Sequence, residues 1–149
     1  MKGKDVFCNR KVLADQIYYE TKHTIILYDI RPYLPGHSLA IPKRHITDFS
    51  ELTKEEALDL FSAIKKVVPA LLKRYKCDSY TLTAQVGKNA GMTVNHFHMH
   101  ILPRKKGDRY SDDDNRIYGM LYGEIGRMSA KRKWIYSETA ALRKQLEAK

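Results

Sequence analysis

Cysteine is scarce in this sequence, and long apolar runs are missing from it. Cys8 and Cys77 are the only thiols in 149 residues. They are too few for a disulfide framework and form no Cys-x-x-Cys pair, so reduced thiols are expected. No apolar run approaches the roughly 18 residues that a bilayer-spanning helix needs, and Met1-Lys2-Gly3-Lys4-Asp5 lacks the apolar stretch of a secretory signal. These absences predict no membrane partner and a cytoplasmic location, with nuclear entry open to a chain of this size. Acidic residues are also outnumbered, 17 against 27 Lys plus Arg, which gives a formal charge of +10. A basic field concentrates anions such as polyphosphate metabolites, nucleic acid or anionic lipid, and selects none of them. Its densest parts, Arg104-Lys105-Lys106 and Lys131-Arg132-Lys133, read equally well as solvated loops. Internal repeats are absent too, so one domain over residues 1–149 is expected.

Local patterns predict an α+β fold, a mainly antiparallel sheet with one long helix packed on it and a short helix at the C-terminus. Residues 6–20 contain short apolar pieces that read as brief strands and turns. Thr24 to Asp29 is β-branched and aromatic, a good strand, and Arg31-Pro32-Tyr33-Leu34-Pro35-Gly36 breaks it before His37 to Ile41 resumes, which makes an antiparallel hairpin. Thr53-x-x-Glu56 is a capping box that opens a helix whose stripe is Ala57, Phe61, Ile64, Val68, Leu71, Leu72 and Tyr75. Pro69 inside it predicts a kink or an early break. Residues 80–86 alternate as a strand. Residues 105–130 begin charged and Gly-punctuated and predict a mobile segment, with a short helix over 117–125, and a terminal helix over 137–149 takes Ser137 as its N-cap.

The most informative stretch is residues 91–104, where His96, His98 and His100 alternate with Phe97, Met99 and Ile101. A strand turns such residues to opposite faces, one all imidazole and one all apolar. Two chemistries fit three clustered imidazoles. One is a metal site, although in one flat strand the outer rings lie about 13 Å apart, so only a neighbouring pair could share an ion without a break in the strand. The other is nucleophilic catalysis, in which one imidazole attacks and its neighbours orient it or stabilise developing charge. Nucleophilic catalysis is the favoured reading; spacing alone does not say which ring attacks.

His96-Phe97-His98-Met99-His100-Ile101-Leu102 fits the His-φ-His-φ-His-φ-φ signature and resembles the histidine triad (HIT) family of nucleotide hydrolases and transferases. Its continuation through Pro103-Arg104-Lys105-Lys106-Gly107-Asp108, the upstream Leu34-Pro35-Gly36-His37-Ser38-Leu39, and Gln85 through Val94 are similar to the Fhit branch, whose members hydrolyse diadenosine polyphosphates. The resemblance implies a HIT-like fold and a two-fold homodimer. It makes His98 the nucleophile of a nucleotidyl-imidazole intermediate, its tautomer held by the carbonyl of His100, with His96, His100 and His37 assisting. It places Gln85, Gly91 and Thr93 along the phosphates, and Phe7, Leu27, Leu39 and Asp29 around the nucleoside. Asp29 stands where the Fhit branch carries an amide and matches the acid of the Hint branch, which cleaves nucleoside phosphoramidates.

The expected reaction is hydrolysis of a dinucleoside polyphosphate at the α,β-anhydride, with a Hint-like phosphoramidase as the alternative. A non-catalytic basic nucleotide-binding module is the alternative of another class. A nucleotide substrate is expected rather than nucleic acid, no metal is expected to be bound tightly by the protein, and Mg²⁺ or Mn²⁺ is expected to arrive with the polyphosphate. Arg104, Lys105 or Lys106 are expected near the distal phosphates, and Tyr118 and Tyr122 against the second nucleoside.

Overall fold

The structure, a computed structural model, describes residues 5–110 and 127–148. Five strands, β1 (Ile17–Glu20), β2 (Thr24–Tyr28), β3 (Ser38–Pro42), β4 (Ser79–Thr83) and β5 (Met99–Arg104), form one sheet in the order β1-β2-β3-β5-β4, antiparallel throughout. The expected hairpin is the β2–β3 pair, with Thr24 opposite Pro42 and Tyr28 opposite Ser38. Its connection turns at Gly36, whose φ of +86° is left-handed and whose missing Cβ leaves room for the Tyr75 ring; a Cβ there would lie 2.6 Å from that ring.

Strand alternation divides the apolar residues between two faces. Ile26, Tyr28, Ala40 and Ile101 join Phe97 in the main core under the long helix, while Ile25, Leu27, Leu39 and Ile41 build a second cluster with Leu13 and Phe7 on the opposite face. That second face carries the site. Of the N-terminal pieces expected as strands, Ile17 to Tyr19 is one, in β1, while the first two are a 3₁₀ turn, Val6–Cys8, and a helical turn, α1 (Arg10–Leu13), because Asp5 and Asn9 cap the amides of Cys8 and Val12.

The long helix α2 (Lys54–Tyr75) starts at the expected capping box, with both reciprocal bonds between Thr53 and Glu56 present. Its buried stripe is Leu60, Ala63, Ile64, Val67, Val68 and Leu71, whereas Phe61 is 52 % exposed, so the face toward the sheet is rotated from the expected one. The helix also runs through Pro69 unbroken. Pro69 and Lys65 are both exposed, so water can satisfy the Lys65 carbonyl that loses its partner. The last helix, α3 (Arg132–Glu147), begins five residues before Ser137; Ser137 is interior, its hydroxyl bonding back to the Trp134 carbonyl at 2.7 Å. It packs on β1 and α2, tied by a paired Arg74–Glu138 contact at 3.0 and 2.9 Å. The helix expected over 117–125, and Tyr118 and Tyr122, lie outside the described residues.

Glu56 anchors the start of α2. It accepts from Arg44 at 2.8 and 2.7 Å and from the Thr53 amide at 2.9 Å. The Arg44 guanidinium is the chief reason its carboxyl falls from 4.5 to about 2. A depressed carboxyl stabilises the fold fully above its unfolded value and loses that contribution as pH falls through its folded value. Glu56→Gln keeps the capping box and removes the ion pair, so it is expected to cost up to about 1 kcal/mol at pH 7, and the gap from the native chain should close between pH 4.5 and about 2. Urea unfolding at several pH values measures it; a gap independent of pH would contradict the ion-pair account.

Candidate active site

The alternation that defines the triad is a strand only from Met99 onward. His96 and His98 precede β5, in a bend where the His96 amide bonds the Val94 carbonyl at 2.8 Å and the Phe97 amide bonds the Ile46 carbonyl at 2.7 Å. The expectation of a continuous strand over 96–101 is corrected in that respect, and the bend has a chemical consequence. His98 and His100 face a cavity of about 530 Å³, while the His96 ring turns away from it.

The cavity lies over the row that sheet register creates, in which Leu27 pairs Leu39, Leu39 pairs His100 and His100 pairs Thr83. Leu27 and Leu39 are thus both cluster residues and cavity wall. Phe7, Asp29, Gln85, Gly91 and Thr93 line it as well. Gln85 lies beyond the end of β4, which stops at Thr83 rather than continuing to 86. Of the expected catalytic histidines, His37 and His96 do not line the cavity; each supports a residue that does.

Protons on this network follow from which partners can only donate or only accept. The Tyr33 amide donates to His37 Nδ1 at 3.1 Å, so neutral His37 carries its proton on Nε2. His37 Nε2 lies 2.8 Å from His100 Nδ1, which must accept, leaving the His100 proton on Nε2. Burial, with His37 fully enclosed, pushes both imidazoles well below the ordinary histidine value, so both are neutral at pH 7. His98 donates from Nδ1 to the carbonyl of His96 at 2.7 Å. The expected carbonyl was that of His100, but the β-strand holds that residue, and the bend brings the His96 carbonyl under the ring instead. His98 consequently keeps a lone pair on Nε2, and burial lowers its own pKa, so that lone pair is present at neutral pH.

The cations at the cavity are not those expected. Arg104 lies at the far end of β5, paired with Asp108 at 2.8 Å, and Lys105 reaches the Tyr75 carbonyl. Arg31, Lys88, Arg127 and Arg132 line the cavity instead. Arg127 stacks 4.2 Å over the Tyr33 ring and bonds Asp29 at 3.1 Å and the Arg31 carbonyl at 2.6 Å. Asp29 accepts from the Arg31 amide with its other oxygen. Arg132 was visible in the sequence only as part of a basic run, and nothing in the sequence singles out Arg127 or Tyr33.

Behind the triad lies a cluster that sequence reasoning missed. His96 donates from Nε2 to the Pro42 carbonyl at 2.9 Å, which leaves a lone pair on Nδ1. That lone pair meets both oxygens of Asp5 at 3.3 Å and Cys8 Sγ at 3.5 Å, with His45 Nδ1 2.8 Å from Asp5 and 3.6 Å from Cys8. Cys8 Sγ is 3.3 Å from Asp5 Oδ2. A buried imidazole lone pair facing a carboxylate is unfavourable unless a cation or a proton lies between them. Edges of a tetrahedron with Zn–N near 2.0–2.1 Å and Zn–S near 2.3 Å are about 3.3–3.6 Å; four of the distances here are 3.3 to 3.6 Å, and Asp5 to His45 is shorter at 2.8 Å. Asp5, Cys8, His45 and His96 therefore fit a tetrahedral zinc ion. A second group, Asp29, His37 and His100, is closed by the hydrogen bonds described above.

Comparison with known proteins identifies the family. The family description "HIT domain" matches residues 10–107. A bis(5'-adenosyl)-triphosphatase of Dictyostelium discoideum is 35% identical over 138 residues, covering 91% of this chain and 89% of that protein. The nitrilase and fragile histidine triad fusion protein NitFhit of Caenorhabditis elegans is 42% identical over 115 residues, 77% of this chain, which spans only 26% of the fusion. The solved structure of NitFhit superimposes with a TM-score of 0.71 over 88% of this chain and 27% of that one, at 33% identity. A zinc-bound histidine triad family protein from Mycobacterium smegmatis gives a TM-score of 0.67 at 26% identity, covering 89% of this chain and 86% of that one. The chain therefore belongs to the histidine triad family, in its Fhit-like branch.

Proposed function

We propose that the chain hydrolyses dinucleoside polyphosphates at the α,β-phosphoanhydride and releases a nucleoside monophosphate. The observation that carries this reading is the His98 tautomer, with Nδ1–H held by the His96 carbonyl at 2.7 Å and Nε2 unprotonated in a cavity-lining ring. In the first step Nε2 attacks the α-phosphorus, a P–N bond forms and the P–O bond to the leaving nucleotide breaks. The imidazole then carries a positive charge, which the Nδ1–H···O bond stabilises. His100 Nε2–H donates to a non-bridging oxygen, where charge accumulates. Gln85 and Thr93 offer an amide and a hydroxyl to the leaving phosphate, and Arg132 and Lys88 a positive field. In the second step water attacks phosphorus and loses a proton to solvent, the P–N bond breaks and its electron pair returns to His98 Nε2. The relatives named as bis(5'-adenosyl)-triphosphatases support this choice of substrate. Asp29 favours a second reading, preference for a phosphoramidate leaving group, and comparing diadenosine triphosphate with an adenosine phosphoramidate separates the two.

Mg²⁺ or Mn²⁺ would accompany the polyphosphate rather than occupy a protein cage. Zinc is a different matter. The M. smegmatis relative was solved with zinc, and here Asp5, Cys8, His45 and His96 would hold such an ion, revising the expectation of no protein-bound metal. Bound there it would cross-link three segments of chain and supply no Lewis acid to the cavity. The cytoplasm suits Cys8 and Cys77, both unpaired, and no described helix is long and apolar enough to cross a membrane.

A homodimer is also part of this reading. Leu58 and Phe61, three residues apart on α2, are 71 % and 52 % exposed, and β4 is an outer strand with Tyr80 49 % exposed. Exposed apolar residues and an open strand edge suit an isologous contact. Sedimentation at micromolar concentration should show a dimer; a fully active monomer would contradict it. For the chemistry, His98→Asn should lower turnover of diadenosine triphosphate by several orders of magnitude while nucleotide affinity stays within a few fold, because it removes the attacking nitrogen lone pair and leaves the groups that hold the nucleotide in place. Near-native turnover in that variant would sink the mechanism.

A further inference from the structure

We propose that the zinc ion and the nucleotide bind cooperatively, with Asp5, Cys8 and His45 acting through the metal as positioning residues for Phe7 and His98. The proposal rests on the zinc reading above. Asp5 and Cys8 flank Val6 and Phe7, and both of these line the nucleotide cavity. The Phe7 ring meets His98 edge-on at 5.1 Å and His96 at 6.0 Å. The 3₁₀ turn that carries Phe7 buries none of its three residues. Its amide caps, from Phe7 and Cys8 to Asp5 at 2.8 and 3.2 Å, are local, so its ties to the rest of the chain are the Phe7 ring on the Leu27–Leu39 cluster and the contacts of Asp5 and Cys8 with His45 and His96.

An ion shared by Asp5, Cys8, His45 and His96 would fasten this turn to the loop after β3 and to the bend before β5. The turn carries the cavity residues Val6 and Phe7, and the bend carries His98. His96 would bind the ion through Nδ1, while its carbonyl holds the proton of His98. One ion therefore fixes both the wall of the nucleoside pocket and the hook that sets the nucleophile's tautomer. Without it, only a proton can lie between the Asp5 carboxylate and His96 Nδ1, 3.3 Å apart, and a proton bridges two groups where an ion would hold four. A nucleotide closing on Phe7 would in turn hold Asp5 and Cys8 in ligating position. Linkage requires the two effects to be equal: zinc tightens nucleotide by the factor by which nucleotide tightens zinc, and couplings of this kind run roughly from 5- to 150-fold.

The experiment uses the zinc-loaded protein, a metal chelator and adenosine monophosphate, a probe that is not turned over. Chelator is titrated with and without saturating AMP, and zinc retained per chain is measured; AMP affinity is measured calorimetrically on loaded and stripped protein. The proposal expects one zinc per chain, a chelator requirement raised about tenfold by AMP, and AMP binding tightened by zinc to the same extent. His45→Ala, in a partly exposed loop, should lose the zinc and bind AMP with the weaker affinity of the stripped protein, unmoved by added zinc. Absence of bound zinc, or zinc held equally well by His45→Ala, overturns the metal reading itself. One zinc per chain with AMP leaving its retention unchanged overturns the cooperativity and leaves the metal reading standing. The chelator titration starts from loaded, folded protein, so it reads the coupling even if the stripped chain unfolds.

Discussion

The hydrogen bond from His98 Nδ1 to the carbonyl of His96 decides what the cavity can do, because a neutral imidazole attacks only through the nitrogen that lacks the proton. Its length of 2.7 Å and its burial keep the proton in place, and the bend before β5 exists in the form that makes this bond. A parallel chain of donors runs from the Tyr33 amide through His37 to His100 and fixes the second imidazole as a donor to substrate. Two histidines of the same residue type thus present opposite chemistry to one cavity, a lone pair and an N–H. Neither role needs an external base to arrange it.

The sheet is what puts these two chains of hydrogen bonds side by side. Register sets Leu27, Leu39, His100 and Thr83 in one row, and the next residues along the strands, Ile26, Ala40 and Ile101, turn to the core under α2. A one-residue slip would exchange the faces and bury apolar residues in the cavity while exposing imidazoles to the helix. The stability of the main core and the placement of the site are therefore the same constraint. Glu56, holding Arg44 at the start of α2, supports it from outside the site.

Much of this was legible in the sequence, for reasons that differ by residue. Strict alternation of His and apolar residues announced an imidazole face, and the Thr53–Glu56 box announced the start of α2, because both signals are local. The bend at 94–98 was not legible, since it depends on the Phe97 amide finding the carbonyl of Ile46, a partner fifty-one residues distant. Asp5, Cys8 and His45 were missed for the same reason: each is an ordinary residue in its own neighbourhood, and only the fold brings them to His96. Arg104 shows the opposite error, in which a basic run next to the triad in sequence is carried by β5 to the far end of the sheet. Pro69 shows that a strong local signal yields when the helix face it occupies is exposed.

The central claim, that His98 becomes covalently nucleotidylated, is tested most directly by quenching the enzyme into base during turnover of diadenosine triphosphate and mapping the modified residue by mass spectrometry. A phosphoramidate survives such a quench, and the account predicts one adenylyl group per active chain, on the peptide containing His98 and localised to that residue. An adenylyl group on another residue, or turnover with no covalent adduct at any time point, would contradict it.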